Sequence, residues 1–109
     1  MTKTAQLAIS RGFAMELAGT GVTVNALLPG PTHTENTDRL RAERAKTAGI
    51  TVAEIEAAFF RDLRATSLLR RFTSADEVAA LGAYLCSEAA SGTSGAAMRV
   101  DGGVVNQIM

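Results

Sequence analysis

An α/β fold with two parallel strands and covering helices is what the sequence predicts, and three observations carry the prediction. A long helix-forming run leads into a β-branched segment, "VTVNALL" at residues 22–28. The same order returns at the end of the chain, where "SADEVAALGAYL" leads towards "AAMRV" at residues 96–100. Between them two S/T-x-x-E capping boxes, Thr51 with Glu54 and Ser74 with Glu77, mark helix starts. Strands separated by so long a helical excursion pair in parallel through a right-handed crossover.

Totals narrow the class further. At 109 residues the chain has room for one small domain and a single core. Its formal net charge of zero removes the long-range field that draws proteins to nucleic acid or anionic membranes, so neither is expected as a partner. Cys86 is the only cysteine; it allows no internal disulfide, fits a reducing cytoplasm, and is expected to pack as a small hydrophobe on the inner side of the last helix. No apolar run is long enough to span a bilayer and no secretory signal opens the chain, which points to a cytoplasmic location.

From Thr2 to about Ala18 strong helix formers dominate. Ile9, Phe13 and Leu17 make one apolar row, and Leu7, Ala14 and Ala18 make another, so this helix is expected to be covered on more than one side. "GTG" at residues 19–21 breaks it. Residues 22–28 follow as a buried strand, bounded by Pro29 and Gly30. "TDRLRAERAKTAG" is charged throughout and predicts a short exposed helix stopped near Gly49. Behind the first capping box Val52, Ile55, Phe59 and Leu63 share a helical face; behind the second, Val78, Leu81, Leu85 and Ala89 do. "SGTSG" ends that last helix and "DGG" turns the chain after the second strand. A two-stranded parallel sheet leaves the edge of "VTVNALL" open, so the chain is expected to be part of a larger sheet or to self-associate.

The motifs, in this order and spacing, resemble the short-chain dehydrogenase/reductase family. "MTKTAQLAISRGFAMELAGTGVTVNALLPGPTHT" is similar to the stretch from inside the family's catalytic helix to its cofactor-closing loop. "TSLLRRFTSADEVAALGAYLCSEAASGTSGAAMRVDGG" is similar to its C-terminal end. The resemblance implies the C-terminal fragment of a Rossmann-like, doubly wound parallel sheet. Within it, residues 1–35 correspond to the catalytic-helix end, strand and cofactor loop, 36–72 to a substrate-covering segment, and 73–109 to the last helix, strand and tail. It also implies hydride transfer between NAD or NADP and a carbonyl or alcohol carbon.

Residue roles follow from the same resemblance. Lys3 matches the catalytic lysine, which in the family lowers the pKa of a tyrosine four residues earlier and holds the cofactor ribose. A cation within about 4–6 Å favours a phenolate by about 1–3 pKa units, and four residues is one helical turn. That tyrosine would fall two positions before Met1. The family's serine and glycine-rich cofactor turn have no counterpart either, and "GTG" follows a helix where that turn would follow a strand. The chain is therefore expected to be a piece of a longer protein and inactive alone, with no cofactor bound by itself. "PGPTHT" matches the family's PGxxxT element: Pro29 and Gly30 form its turn, and the Thr32 N–H and the Thr34 hydroxyl bond the nicotinamide carboxamide. Asn25 also matches the family, and as a mid-strand Asn between apolar neighbours it is expected to order local backbone.

Several residues carry a plainer reading. Tyr84 has no lysine four residues on and is expected to pack. His33 has no partner at ligand or triad spacing and is expected to be solvated. Phe59 and Phe60 either line a substrate pocket or form two faces of a helix, one docked on the core. The alternative to an oxidoreductase portion is a non-enzymatic remnant that binds a partner, most simply another copy, through the open strand edge or the first helix.

Overall fold

The computed structural model describes residues 2–107. Helix α1 (Thr2–Glu16) leads through a glycine turn to strand β1 (Ala26–Pro29), followed by α2 (Glu35–Ala48) and α3 (Val52–Ala58). A π-helical turn (Phe59–Leu63) extends α3, and a long loop then reaches α4 (Ala75–Leu85), a 3-10 turn (Glu88–Ala90) and strand β2 (Ala97–Val100). The strands pair in parallel with Ala26 opposite Ala97 and Pro29 opposite Val100, so the α/β prediction holds.

Local chemistry sets most boundaries. Gly19 and Gly21 adopt φ of 78° and 82°, which ends the α1 run. Thr34, Thr51 and Ser74 each cap a helix, and each is answered by the side chain three residues on, Thr37, Glu54 and Glu77. Gly49 closes α2 in the left-handed region at φ 66°.

Other expectations are corrected. β1 is shorter than residues 22–28 because a ladder needs a partner: opposite residues 22–25 the chain offers loop, not strand. There Val24 N donates to Ser94 Oγ at 3.3 Å and Gly95 N to Val24 O at 2.7 Å. α2 is not wholly exposed, since it buries Arg41 and Ala45. The predicted α3 face fails at both ends, with Val52 40% and Leu63 63% exposed while Phe60 is buried; the wide π turn rotates Leu63 off that line. α4 ends at Leu85, before "SGTSG", where the Ser87 hydroxyl takes up the Tyr84 carbonyl at 2.7 Å. Ala89 is therefore exposed in the 3-10 turn and Ala90 is buried instead. Cys86 lies at the C-cap of α4 and is exposed, and Tyr84 is 42% exposed, so neither packs inward.

α1 buries none of its side chains, leaving Ile9 58% and Phe13 59% exposed. It is tied to the rest by Arg11 NH1, which donates to Gly95 O at 3.3 Å. The radius of gyration is 17.1 Å and the extents 58 × 24 × 23 Å, whereas a compact chain of this length has a radius near 13 Å. The accessible surface is 7833 Å², about 2,000 Å² more than a compact monomer of this mass exposes. The small core gathers beside the C-terminal ends of the strands, around Phe60, Phe72 and Ala45.

Candidate functional site

The carboxyl ends of β1 and β2 open into a cavity of about 980 Å³. Crevices at that end of parallel sheets are where such folds bind ligands. The loop after β1 forms one wall, and the structure gives it a specific frame.

Gly30 begins the frame. Its N–H donates to Val100 O at 2.9 Å, continuing the ladder, and a Cβ on Gly30 would sit 2.5 Å from Asp101 Cα. Only glycine lets the strand ends come this close. Asp101 holds its own turn, accepting from Gly103 N at 2.9 Å and Val105 N at 3.1 Å.

Beyond Gly30 the loop is fastened by a residue forty-odd positions away. Thr73 is 2% exposed. Its N–H donates to Pro31 O at 2.9 Å, its carbonyl accepts from His33 N at 2.8 Å, and its hydroxyl pairs with that of Thr32 at 3.0 Å. This short parallel bridge uses the groups on either side of Thr32. In extended backbone a residue's own N–H points away from the partner that its neighbours bond. Accordingly the Thr32 N–H donates to no group among the described residues, while its residue lines the cavity.

Thr34 also lines the cavity. Its hydroxyl caps α2, accepting from Thr37 N at 3.3 Å and lying 2.9 Å from the Thr37 hydroxyl. Four sequence-predicted residues, Pro29, Gly30, Thr32 and Thr34, thus meet on one wall. Lys3 does not: it is exposed in the first turn of α1 and does not line this cavity. Asn25 behaves as expected, since its Nδ2 donates to Thr93 O at 2.8 Å and its Oδ1 accepts from Ala96 N at 3.1 Å, locking the entry to both strands.

His33 departs from expectation because it has partners. Its Nδ1 lies 3.0 Å from Asp38 Oδ1 and 2.8 Å from Arg41 NH2, and its ring tilts against Phe72 at 5.3 Å. The carboxylate five residues on comes within reach because α2 starts right after the loop. Arg41 is buried, hydrogen-bonded to Asp38 and 4.0 Å above the Phe72 ring. Its Nε lies 3.2 Å from Glu56 Oε1, near enough for charge attraction but off the line a hydrogen bond requires. Of the phenylalanine pair, Phe59 stacks on Phe72 at 5.0 Å along the cavity wall, and Phe60 is buried behind them in the core.

Sequence reasoning missed Thr73 and Arg41. Thr73 carries no local signal beyond preceding a cap, and Arg41 sits in a segment whose charge hides its burial. The nearby Arg71 guanidinium grips Glu77 through two bonds of 2.7 and 2.9 Å. That grip, with the Ser74 N–H, holds the Glu77 carboxyl down at about 2. Among the described residues no group of histidine, cysteine and carboxylate side chains could hold a metal ion, and no helix is long and apolar enough to cross a membrane.

The chain shares its fold with known proteins. A family model described as enoyl-(acyl carrier protein) reductase matches residues 1–105. The uncharacterized oxidoreductase YvrD of Bacillus subtilis (strain 168) is 42% identical over 99% of this chain and 41% of its own length. The oxidoreductase YvaG of the same organism is 40% identical over 98% of this chain and 40% of its own. The crystal structure of L-sorbose reductase from Gluconobacter frateurii, complexed with NADPH and L-sorbose, superposes with a TM-score of 0.86 at 28% identity, covering 98% of this chain and 40% of that one. The chain thus spans about two-fifths of the length of the relatives it matches. With its two parallel strands, its PGxxxT loop at their carboxyl ends and this match over nearly all its residues, the chain belongs to the short-chain dehydrogenase/reductase oxidoreductases, as a C-terminal portion of their fold.

Proposed function

We propose that this chain supplies the nicotinamide-facing wall and the substrate-covering segment of an NAD(P)-dependent oxidoreductase, and that alone it does not turn over. The observation that carries the reading is the unpaired Thr32 N–H on the cavity wall, in a loop held rigid by Thr73. Such a donor is costly to leave unmet once a site closes, and a carboxamide oxygen is a matching acceptor. The Thr34 hydroxyl, already engaged by the Thr37 N–H and the Thr37 hydroxyl, retains one further hydrogen-bonding position for a third partner. Thr32 and Thr34 would hold and orient a nicotinamide by its carboxamide, and that group would supply or accept the hydride.

Lys3 is assigned the family's role of stabilising a phenolate one turn earlier and holding the ribose. The chain holds no tyrosine at that place, and proton transfer by such a group is typically worth 10²- to 10⁴-fold. The purified chain with NADH or NADPH and an array of ketones is therefore expected to give no turnover. A chimera that places the upstream part of YvrD before this chain is expected to reduce carbonyls, and Lys3→Met within it to lower kcat/KM by about 10²-fold or more. Robust turnover by the isolated chain, or an active Lys3→Met chimera, overturns the reading.

A second reading is favoured by the surface. The excess of about 2,000 Å² over a compact monomer is more than twice the ~800 Å² each partner buries in an ordinary interface. Ile9, Phe13 and Met15 of α1 contribute to it at 58%, 59% and 68% exposure. The isolated chain is accordingly proposed to self-associate through α1 or the free edge of β1. Sedimentation is expected to show a dimer or larger species, and a well-folded, monodisperse monomer counts against it.

A further inference from the structure

We propose that the cavity at the strand ends selects a carbonyl or alcohol substrate bearing an anionic group, carboxylate or phosphoryl, with Arg44 of α2 and Arg64 as the specificity-determining cations. This rests on the oxidoreductase reading above and adds the substrate class to it. Over the whole chain 11 basic side chains balance 11 acidic ones, yet the cavity wall brings Arg41, Arg44 and Arg64 together with Asp101.

Most of that wall is already committed. Both Asp101 oxygens accept backbone N–H groups in their own turn. Arg41 is answered from behind by Asp38 and Glu56, neither of which lines the cavity. Arg44 and Arg64 differ: among the described residues no carboxylate comes within 4.0 Å of either. Arg64 is nonetheless placed, since NH1 donates to Leu63 O at 2.8 Å and its guanidinium lies 5.7 Å over the Phe59 ring. It is positioned without being neutralised.

A concave surface with unbalanced cations focuses potential and concentrates anions. Guanidinium groups match the two-oxygen edge of carboxylates and phosphates. The cavity opens beside the Thr32 N–H, so an anionic tail held by Arg44 and Arg64 lies within the same chamber as the carbon to be reduced or oxidised. The apolar share of the wall, Leu28, Leu40, Phe59 and Val78 among it, suits the carbon skeleton between the two ends.

The test is a backbone-amide NMR titration of the full 109-residue chain with acetoacetate, its neutral methyl ester, and inorganic phosphate. The acid or phosphate is expected to saturate shifts at Thr32, Thr34 and Val105, and the ester to bind at least ~5-fold more weakly. Arg44→Gln and Arg64→Gln are each expected to weaken anion binding ~3-fold and together ~10-fold, as for exposed charge pairs. Arg39→Gln, on the same helix but off the cavity, is expected to leave binding unchanged, and circular dichroism confirms that the variants fold alike. Acetoacetate binding more tightly than phosphate assigns a carboxylate, and the reverse a phosphoryl group. The proposal is overturned if the ester binds as well as the acid, if no anion binds, or if the double variant binds as the parent does. The function reading fails separately, if reduced nicotinamide riboside leaves the Thr32 amide of the YvrD chimera unmoved whatever the anions do.

Discussion

Gly30→Ala is the substitution whose cost the structure specifies most closely. The new Cβ would meet Asp101 Cα at 2.5 Å, Asp101 Cβ at 2.8 Å and Asp101 O at 2.8 Å. Two of these are backbone atoms of a turn fixed by the Asp101 side chain, so no rotamer change relieves them. β1 and β2 must part at their carboxyl ends. Overpacking of this kind costs about 1–3 kcal/mol, and lengthening the Gly30 N–Val100 O bond adds about 1 kcal/mol. The total, about 2–4 kcal/mol, corresponds to a fall in Tm on the order of 10 °C or more for a chain of this size. Gly92→Ala is the control, because nothing lies within 4 Å of its Cβ position and its φ is not left-handed; it is expected to stay within about 0.5 kcal/mol. Paired urea and thermal unfolding of the two variants measures the difference. Equal stability of the two would refute the claim that the strand ends are held in contact at Gly30.

Asn25→Ala removes both bonds that lock the strand entries, and is expected to cost about 1–3 kcal/mol and to speed hydrogen exchange at Ala96. Asn25→Asp is expected to be no better, because a carboxylate then faces the Thr93 carbonyl that the amide served. Thr34→Val loses a helix cap, costing about 1 kcal/mol, and in an active chimera raises KM for the cofactor, whereas Thr34→Ser restores both. The Glu77 carboxyl is held down at about 2 against its usual 4.5, so its pairing with Arg71 is complete above about pH 4.5 and lost as pH falls towards 2. Side-chain NMR is expected to follow that midpoint, and Arg71→Gln to move it upward.

How much was legible follows from how far each signal reaches along the chain. The caps at Thr51 and Ser74 were readable because cap and partner lie three residues apart; the Thr34 cap escaped the same search because Thr37 replaces the usual glutamate. Asn25 was readable as a structural residue because a polar side chain between apolar strand neighbours must find backbone partners. Thr73 was not, since its bonds to Pro31, Thr32 and His33 span about forty residues and threonine before a cap is unremarkable on its own. The depth of Arg41 and the exposure of Leu63 depend on how α2, α3 and the π turn settle on Phe72, which helical periodicity cannot encode. Ile9 and Phe13 read as doubly covered yet stand exposed, because the described residues contain nothing that packs on them.

In the proposed function the Thr32 N–H is a waiting donor for a nicotinamide carboxamide. Titrating the chimera that carries the upstream part of YvrD with reduced nicotinamide riboside, which carries neither phosphate nor charge, and following the Thr32 amide proton tests it directly. A saturable downfield shift at Thr32, accompanied by Thr34 and absent with the ring analogue that lacks the carboxamide, is the predicted result. An unmoved Thr32 amide, or the same shift without the carboxamide, would contradict it.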